Sequence, residues 1–401
     1  MKRSYQLLMG TIMMLFLGLI YAWSVFRVPL EESFSQWSQA DLSLTFTIAM
    51  VSFCTGIIVA GKLLEKVKPR WILLASGILS FIGFMGASFF LSPEDPQGSL
   101  KKLYFFYGVL CGFGVGIGYN ALLNAILGWF PDRTGLASGV LLMGFGLGGL
   151  ILGGLSQNLI ESRGIFLAFR FIGIGFLIAA LVVSLFLRRP KKEEVRAFLP
   201  EQKTPVEMTG QRASEMLKTS YFYLFYLWQI AIAAGGLLVI NSSVPIANYF
   251  GASVLVALIV SIFNGAGRVL LGGIFDSKGP SVAIILNSFF VILGGIFLYL
   301  TALTHNPLLL WLGLPIIGLA YGGVPALNSA ITRERWGPKH YSVNFGVTST
   351  NLMFAAYLGP YLSGALQDRS GDFTSTFLML IGFGIIALIA GLLLTRKAVR
   401  L

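Results

Sequence analysis

Residues 252–279 read ASVLVALIVSIFNGAGRVLLGGIFDSKG. From 252 to 274 the run is apolar or small, long enough to cross a bilayer as a helix, which takes about 20 residues. One charge interrupts it, Arg268. The run then stops at Asp276, Lys278 and Gly279, where charge and a turn residue mark its exit into water. Runs of similar length recur at roughly 6–28, 42–61, 71–91, 103–129, 135–158 and 165–187, then at 220–242, 282–303, 307–330, 342–366 and 373–395. The pattern predicts an all-α membrane protein with twelve transmembrane helices in two pseudo-symmetric six-helix bundles. The expected division is a bundle over 1–187, a cytoplasmic linker over 188–218 and a second bundle over 219–401. Pro190, Pro200, Pro205 and a basic cluster that includes Arg188, Arg189 and Lys203 give the linker its soluble composition, and Ala213–Lys218 is readable as a short surface helix.

The composition excludes the other classes. Of 401 residues, 56% are hydrophobic and 11% charged, with mean hydropathy +0.79. Soluble domains average about 25% charged residues. So few charges cannot clothe a soluble domain of this size, and neither a disordered chain nor a nucleic-acid-binding module fits, despite the net charge of +12. Cys54 and Cys111 both lie in apolar runs, so no disulfide framework is expected. Met1-Lys2-Arg3 leads straight into the first run with no small-residue cleavage site, which reads as a retained first helix.

Basic residues set the orientation. With both termini in the cytoplasm, the inner segments hold 22 of the 29 Lys and Arg residues, Arg400 included. The outer ones hold six: Arg27, Lys101, Lys102, Arg163, Arg170 and Arg369. The positive excess is therefore topogenic and needs no partner beyond lipid head groups. The expected location is the inner cell membrane, as a multi-pass monomer.

The two halves also echo each other. Gly61-Lys-Leu-Leu-Glu65-Lys-Val-Lys68 follows span 2 as Gly272-Gly-Ile-Phe-Asp276-Ser-Lys-Gly279 follows span 8, and Val28-Pro29-Leu30 is matched by Val244-Pro245-Ile246. Repeated halves of this kind place a transport site near the bilayer midplane.

Arg268 is the residue left over by the topological count. It lies eight residues before Asp276, about 12 Å from the cytoplasmic end at 1.5 Å per residue. An arginine at that depth costs about 2.5–3.5 kcal/mol on insertion scales. The Asp and Glu residues all fall at span ends or in loops. A counter-ion that comes and goes accounts for this pattern, and the guanidinium fork matches a carboxylate. The competing reading makes Arg268 a packing element paired with backbone carbonyls. Asn264 shares the Arg268 face of span 8, with Ser261 one turn further along it. Tyr321 with Asn328, Asn344 with Thr348 and Asn351, Asn120 with Asn124 and Tyr119, and Tyr21 offer polar groups at comparable depth. Each Asn taken alone is equally readable as an interhelical hydrogen bond.

Six plus six spans, a charged central loop and the Gly-x-x-x-Asp-x-x-Gly pattern of Gly272–Gly279 resemble the major facilitator superfamily. Tyr21-Ala-Trp-Ser-Val-Phe26, Trp129-Phe-Pro-Asp-Arg-Thr-Gly-Leu-Ala-Ser-Gly139 and Glu215-Met-Leu-Lys-Thr-Ser-Tyr-Phe-Tyr223 narrow the resemblance. They are similar to the oxalate/formate antiporter branch, itself similar to monocarboxylate transporters. The resemblance implies that Asp276 and Glu65 serve the gate, although Glu65 and Lys68 depart from the Asp and Gly of the family pattern. Oxalate transporters of the branch carry a lysine on span 11 where this chain has Leu352, and animal monocarboxylate transporters have an Asp where it has Asn264. One cation favours one carboxylate.

The expected substrate-binding set is therefore Arg268, Asn264, Tyr321, Tyr119, Tyr21, Asn351 and Asn120, and the expected substrate is lactate, pyruvate or formate. Protons are the expected coupling partner. The rival is exchange of oxalate-like dianions against formate, with Arg170 as second cation. No cofactor, metal or nucleic-acid partner is expected. An enzyme is disfavoured, since His305 and His340 fall in loops and neither cysteine has a base nearby.

Overall fold

The computed structural model describes residues 2–37, 39–196, 210–253, 255–363, 366 and 370–398. Pro200, Lys203 and Pro205 of the expected linker, and Arg369 and Arg400 of the charge count, lie outside them. Among the described residues every regular element is a helix. In chain order these are α1 (Lys2–Leu17), a 3-10 turn (Gly18–Ala22), α2 (Trp23–Ser33), α3 (Gln39–Leu63), α4 (Pro69–Phe90), α5 (Pro96–Leu103), a π-helical turn (Tyr104–Cys111), α6 (Gly112–Leu127), α7 (Thr134–Arg163) and α8 (Ile165–Phe186). There follow α9 (Ser220–Tyr249), α10 (Leu255–Thr304), α11 (Leu310–Trp336), α12 (Tyr341–Ser349), α13 (Asn351–Ala356), a second π turn (Tyr357–Tyr361) and α14 (Thr374–Ala398). Short helices also form at Lys192–Arg196 and Ala213–Met216.

Ten helical runs among the described residues are long and apolar enough to cross a membrane. One of them, Ile259–Thr304, has 46 residues, about twice what a 30 Å hydrocarbon core requires. Gly279 divides it, with φ 83° and ψ 171°. That conformation is open to glycine and strained for other residues, and Pro280 then starts the second half without an N–H to donate. The expected run 342–366 is not among the ten. It is cut at Thr350, between α12 and α13, and then widens into the π turn, so none of its pieces is long enough alone.

The exposed faces are apolar. On α8, Phe171, Ile174, Ile178, Leu181 and Leu185 are all exposed, and their spacing of three or four places them on one side. A row of this kind is stable against lipid tails and would aggregate in water. The chain is a multi-pass membrane protein.

The described residues fall into two compact units. The first comprises Met1–Asp132, Gly144–Val206 and Tyr341–Val347; the second comprises Arg133–Met143, Glu207–His340 and Thr348–Leu401. Two short segments thus cluster away from their chain neighbours: the start of α7 with the second unit, and the start of α12 with the first. Inside the second unit α10 and α11 touch backbone to backbone. A Cβ on Gly267 would lie 2.0 Å from the Leu319 carbonyl oxygen, and one on Gly322 2.0 Å from that of Asn264.

Candidate functional site

That close crossing positions the polar residues of the second unit. Asn264 and Arg268 are one turn apart on α10, and Tyr321 adjoins Gly322 on α11, opposite the Asn264 backbone. Gly236 of α9 makes room for the tyrosine, since a Cβ there would lie 2.3 Å from Tyr321 Cβ. Arg268 is 1% exposed. Its Nη1 donates to the Leu142 carbonyl at 2.6 Å. The early part of α7 comes this near because Gly139 lacks a side chain, whose Cβ would meet the Arg268 carbonyl oxygen at 2.3 Å. A guanidinium has five N–H donors, and the backbone carbonyl foreseen as a packing partner takes one of them. Asn264 is buried, and its Oδ1 has no donor.

Asn351 lies at the break between α12 and α13. Its Nδ2 donates to Gln229 Oε1 at 2.5 Å and to the Thr348 carbonyl at 2.7 Å. Gln229 of α9 donates in turn to Asn328 Oδ1 at 3.3 Å, and Asn328 also accepts from Thr332 Oγ1 at 3.2 Å. Gln229 is a residue the sequence reading missed. Its only signal is that it is the one glutamine in the apolar run 220–242, twelve residues before the other amide there, Asn241.

The remaining candidates belong to the first unit. Tyr21 meets Phe145 edge to face with centroids 5.2 Å apart, and Tyr119 meets Phe145 at 4.9 Å and Phe53 at 5.3 Å. The two tyrosines thus share one aromatic cluster. Asn120 is fully buried and spends both N–H groups on backbone carbonyls, those of Ile57 at 2.8 Å and Ser342 at 2.9 Å. One turn on, Asn124 Nδ2 donates to Ser342 Oγ, and Asn124 Oδ1 accepts from Arg189 Nε at 2.9 Å. Arg189 Nη2 donates to the Leu64 carbonyl at 2.7 Å. Asn120 and Asn124 therefore hold the start of α12 in the first unit. Arg170 donates to Ser88 Oγ at 2.9 Å and lies 4.2 Å over the Phe89 ring.

Of the expected gating residues, Asp276 accepts from the backbone N–H of Gly135 at 2.8 Å and of Leu136 at 2.6 Å, within the second unit. A carboxylate there satisfies two orphan donors of α7 and complements its dipole. Glu65 is exposed in the turn after α3. No group of three or more His, Cys, Asp or Glu that would hold a metal occurs among the described residues.

Residues 7–360 match the sequence profile of the Major Facilitator Superfamily. The oxalate:formate antiporter of Oxalobacter formigenes is 27% identical over 89% of this chain and 84% of its own length. Monocarboxylate transporter 12 of Mus musculus is 26% identical over 90% of this chain and 79% of its own. Among solved structures, the proton:xylose symporter XylE superposes with a TM-score of 0.80 at 16% identity, over 98% of this chain and 95% of that one.

Proposed function

The chain belongs to the Major Facilitator Superfamily and is a transporter, not an enzyme, and from that premise we propose that it carries small monocarboxylates of the lactate, pyruvate or formate type by alternating access. The carboxylate is held at Arg268, with Asn264, Tyr321 and Asn351 of the same unit as its proposed neighbours. The observation that carries this reading is an arginine that is 1% exposed about 12 Å inside a membrane span, in a chain whose relatives are named for carboxylates. Twelve spans in two bundles suit it: the 46-residue run supplies two across Gly279, and the broken stretch from Tyr341 supplies another. Both termini then face the cytoplasm, by the distribution of Lys and Arg. Asp276 and Glu65 act at the cytoplasmic gate, and a proton accompanies the substrate. Asn120, with both donors on backbone carbonyls, serves the gate more than the substrate.

The second reading is exchange of oxalate-like dianions against formate, favoured by the printed name of one relative. The contacts of Arg170 with Ser88 and Phe89 weigh against it, because they give the would-be second cation a place within the first unit. Counterflow in proteoliposomes separates the two. Loaded with lactate, the vesicles are expected to accumulate labelled lactate, whereas oxalate loading drives no labelled uptake. Efficient oxalate–formate counterflow with no lactate flux would select the exchanger. An imposed inward proton gradient is expected to speed lactate entry; saturable uptake indifferent to that gradient would exclude proton coupling.

A further inference from the structure

Three amide side chains from three helices of the second unit form a row. Asn351 donates to Gln229, Gln229 to Asn328, and Asn328 Nδ2 to Ser349 Oγ at 3.3 Å. An amide side chain can be turned end for end without changing its shape, so its direction must come from its partners. Here the Thr348 carbonyl decides. It can only accept, so the Asn351 atom facing it at 2.7 Å is the NH2 group. The second N–H of that group requires an oxygen on Gln229. This turns the Gln229 NH2 toward Asn328, whose oxygen must face it. All three amides are buried, at 0% exposure for Gln229, 1% for Asn351 and 3% for Asn328.

Both N–H donors of Asn351 are thereby committed. What it still offers is Oδ1, a buried acceptor with no donor. Asn351 lies ten residues from the start of α12, about 15 Å along the chain axis, and Arg268 about 12 Å from Asp276. The two therefore sit at similar depth in the same unit. A carboxylate brings only acceptors and cannot satisfy Asn351 Oδ1, whereas a hydroxyl can donate to it.

We infer that Gln229 is a positioning residue: it fixes Asn351 with its oxygen presented to the substrate, so that the site selects monocarboxylates bearing a 2-hydroxyl group over those lacking one. The inference rests on the reading that Arg268 holds the carboxylate.

Glycolate and acetate differ by one hydroxyl and serve as probes for the full-length protein in proteoliposomes. The KM of the unaltered protein for glycolate is expected to be about tenfold below that for acetate, the ratio one hydrogen bond supplies. In Gln229→Met and in Asn351→Leu that ratio is expected to collapse toward one. A merely structural role for Gln229 would lower the rate for both acids and leave the ratio standing, which would overturn the inference. Should the variants fail to fold, the unaltered protein decides alone: equal KM values for the two acids overturn the hydroxyl preference while the Arg268 reading stands. If lactate is carried but neither acid is, the hydroxyl inference falls while the Arg268 reading stands; if lactate is not carried either, the monocarboxylate reading falls and this inference falls with it.

Discussion

Arg268 occupies a place that Met or Leu would fill at lower cost to insertion. The difference, about 2.5–3.5 kcal/mol at the centre of a span, separates a binding arginine from a packing one. Arg268→Met is therefore expected to leave the melting temperature in detergent unchanged or raised while abolishing uptake. A fall of many degrees would instead assign the guanidinium to packing through Leu142. The residue itself was legible in the sequence as the one cation assigned to neither the inner nor the outer segments. Its partner was not, because Leu142 lies 126 positions away and periodicity reports which face a side chain occupies, not what meets it. The same holds for Asn120: its helical spacing with Asn124 could be read directly, but its bond to Ser342, 222 positions away, could not. Gln229 was overlooked because a single amide in an apolar run reads as an ordinary interhelical bond until its neighbours are known.

Between elements, the decisive contacts are those where no side chain intervenes. The α10–α11 crossing requires glycine at 322, since a Cβ would meet the Asn264 carbonyl, which is backbone and cannot yield. Gly322→Ala should destabilise the protein by about 1–3 kcal/mol, while Gly154→Ala, with nothing within 4 Å of its Cβ, should be neutral or gain up to about 1 kcal/mol of helix propensity. Thermal unfolding of the two variants checks the contrast. The start of α7 makes a second case. Asp276→Asn keeps one oxygen for Gly135 and Leu136 but no charge, and Asp276→Ala keeps neither. Backbone hydrogen exchange over residues 135–143 should quicken modestly in the first and further in the second; equal protection in all three proteins would deny Asp276 its hold on the helix. Most helices were foreseen from apolar runs of about 20 residues bounded by charge, and the stretch ending at Gly279 was foreseen as the loop between two spans. The break at Thr350 and the 3-10 turn at Gly18–Ala22 were not. Each lies inside an apolar stretch where hydrophobicity is satisfied whatever the local winding, so composition carries no mark of it.

On the scale of the whole molecule, one charge arithmetic underlies both the proposed topology and the proposed function. A net charge of +12 invites thoughts of an acidic partner, yet its distribution between inner and outer segments is what orients a multi-pass protein. Sidedness is testable with single cysteines, because Cys54 and Cys111 are buried and give little background. A thiol reagent that cannot cross the membrane should label Lys102→Cys in intact cells and Lys66→Cys only after permeabilisation; the reverse pattern would invert the topology. With the other cations assigned to inner and outer segments, Arg268 is the one left deep inside a span. The direct measurement is lactate binding to the purified protein, by calorimetry, with and without that side chain. Saturable binding to the unaltered protein is expected, with affinity at least about 100-fold weaker in Arg268→Gln. Binding of equal strength in the two proteins would remove Arg268 from the site.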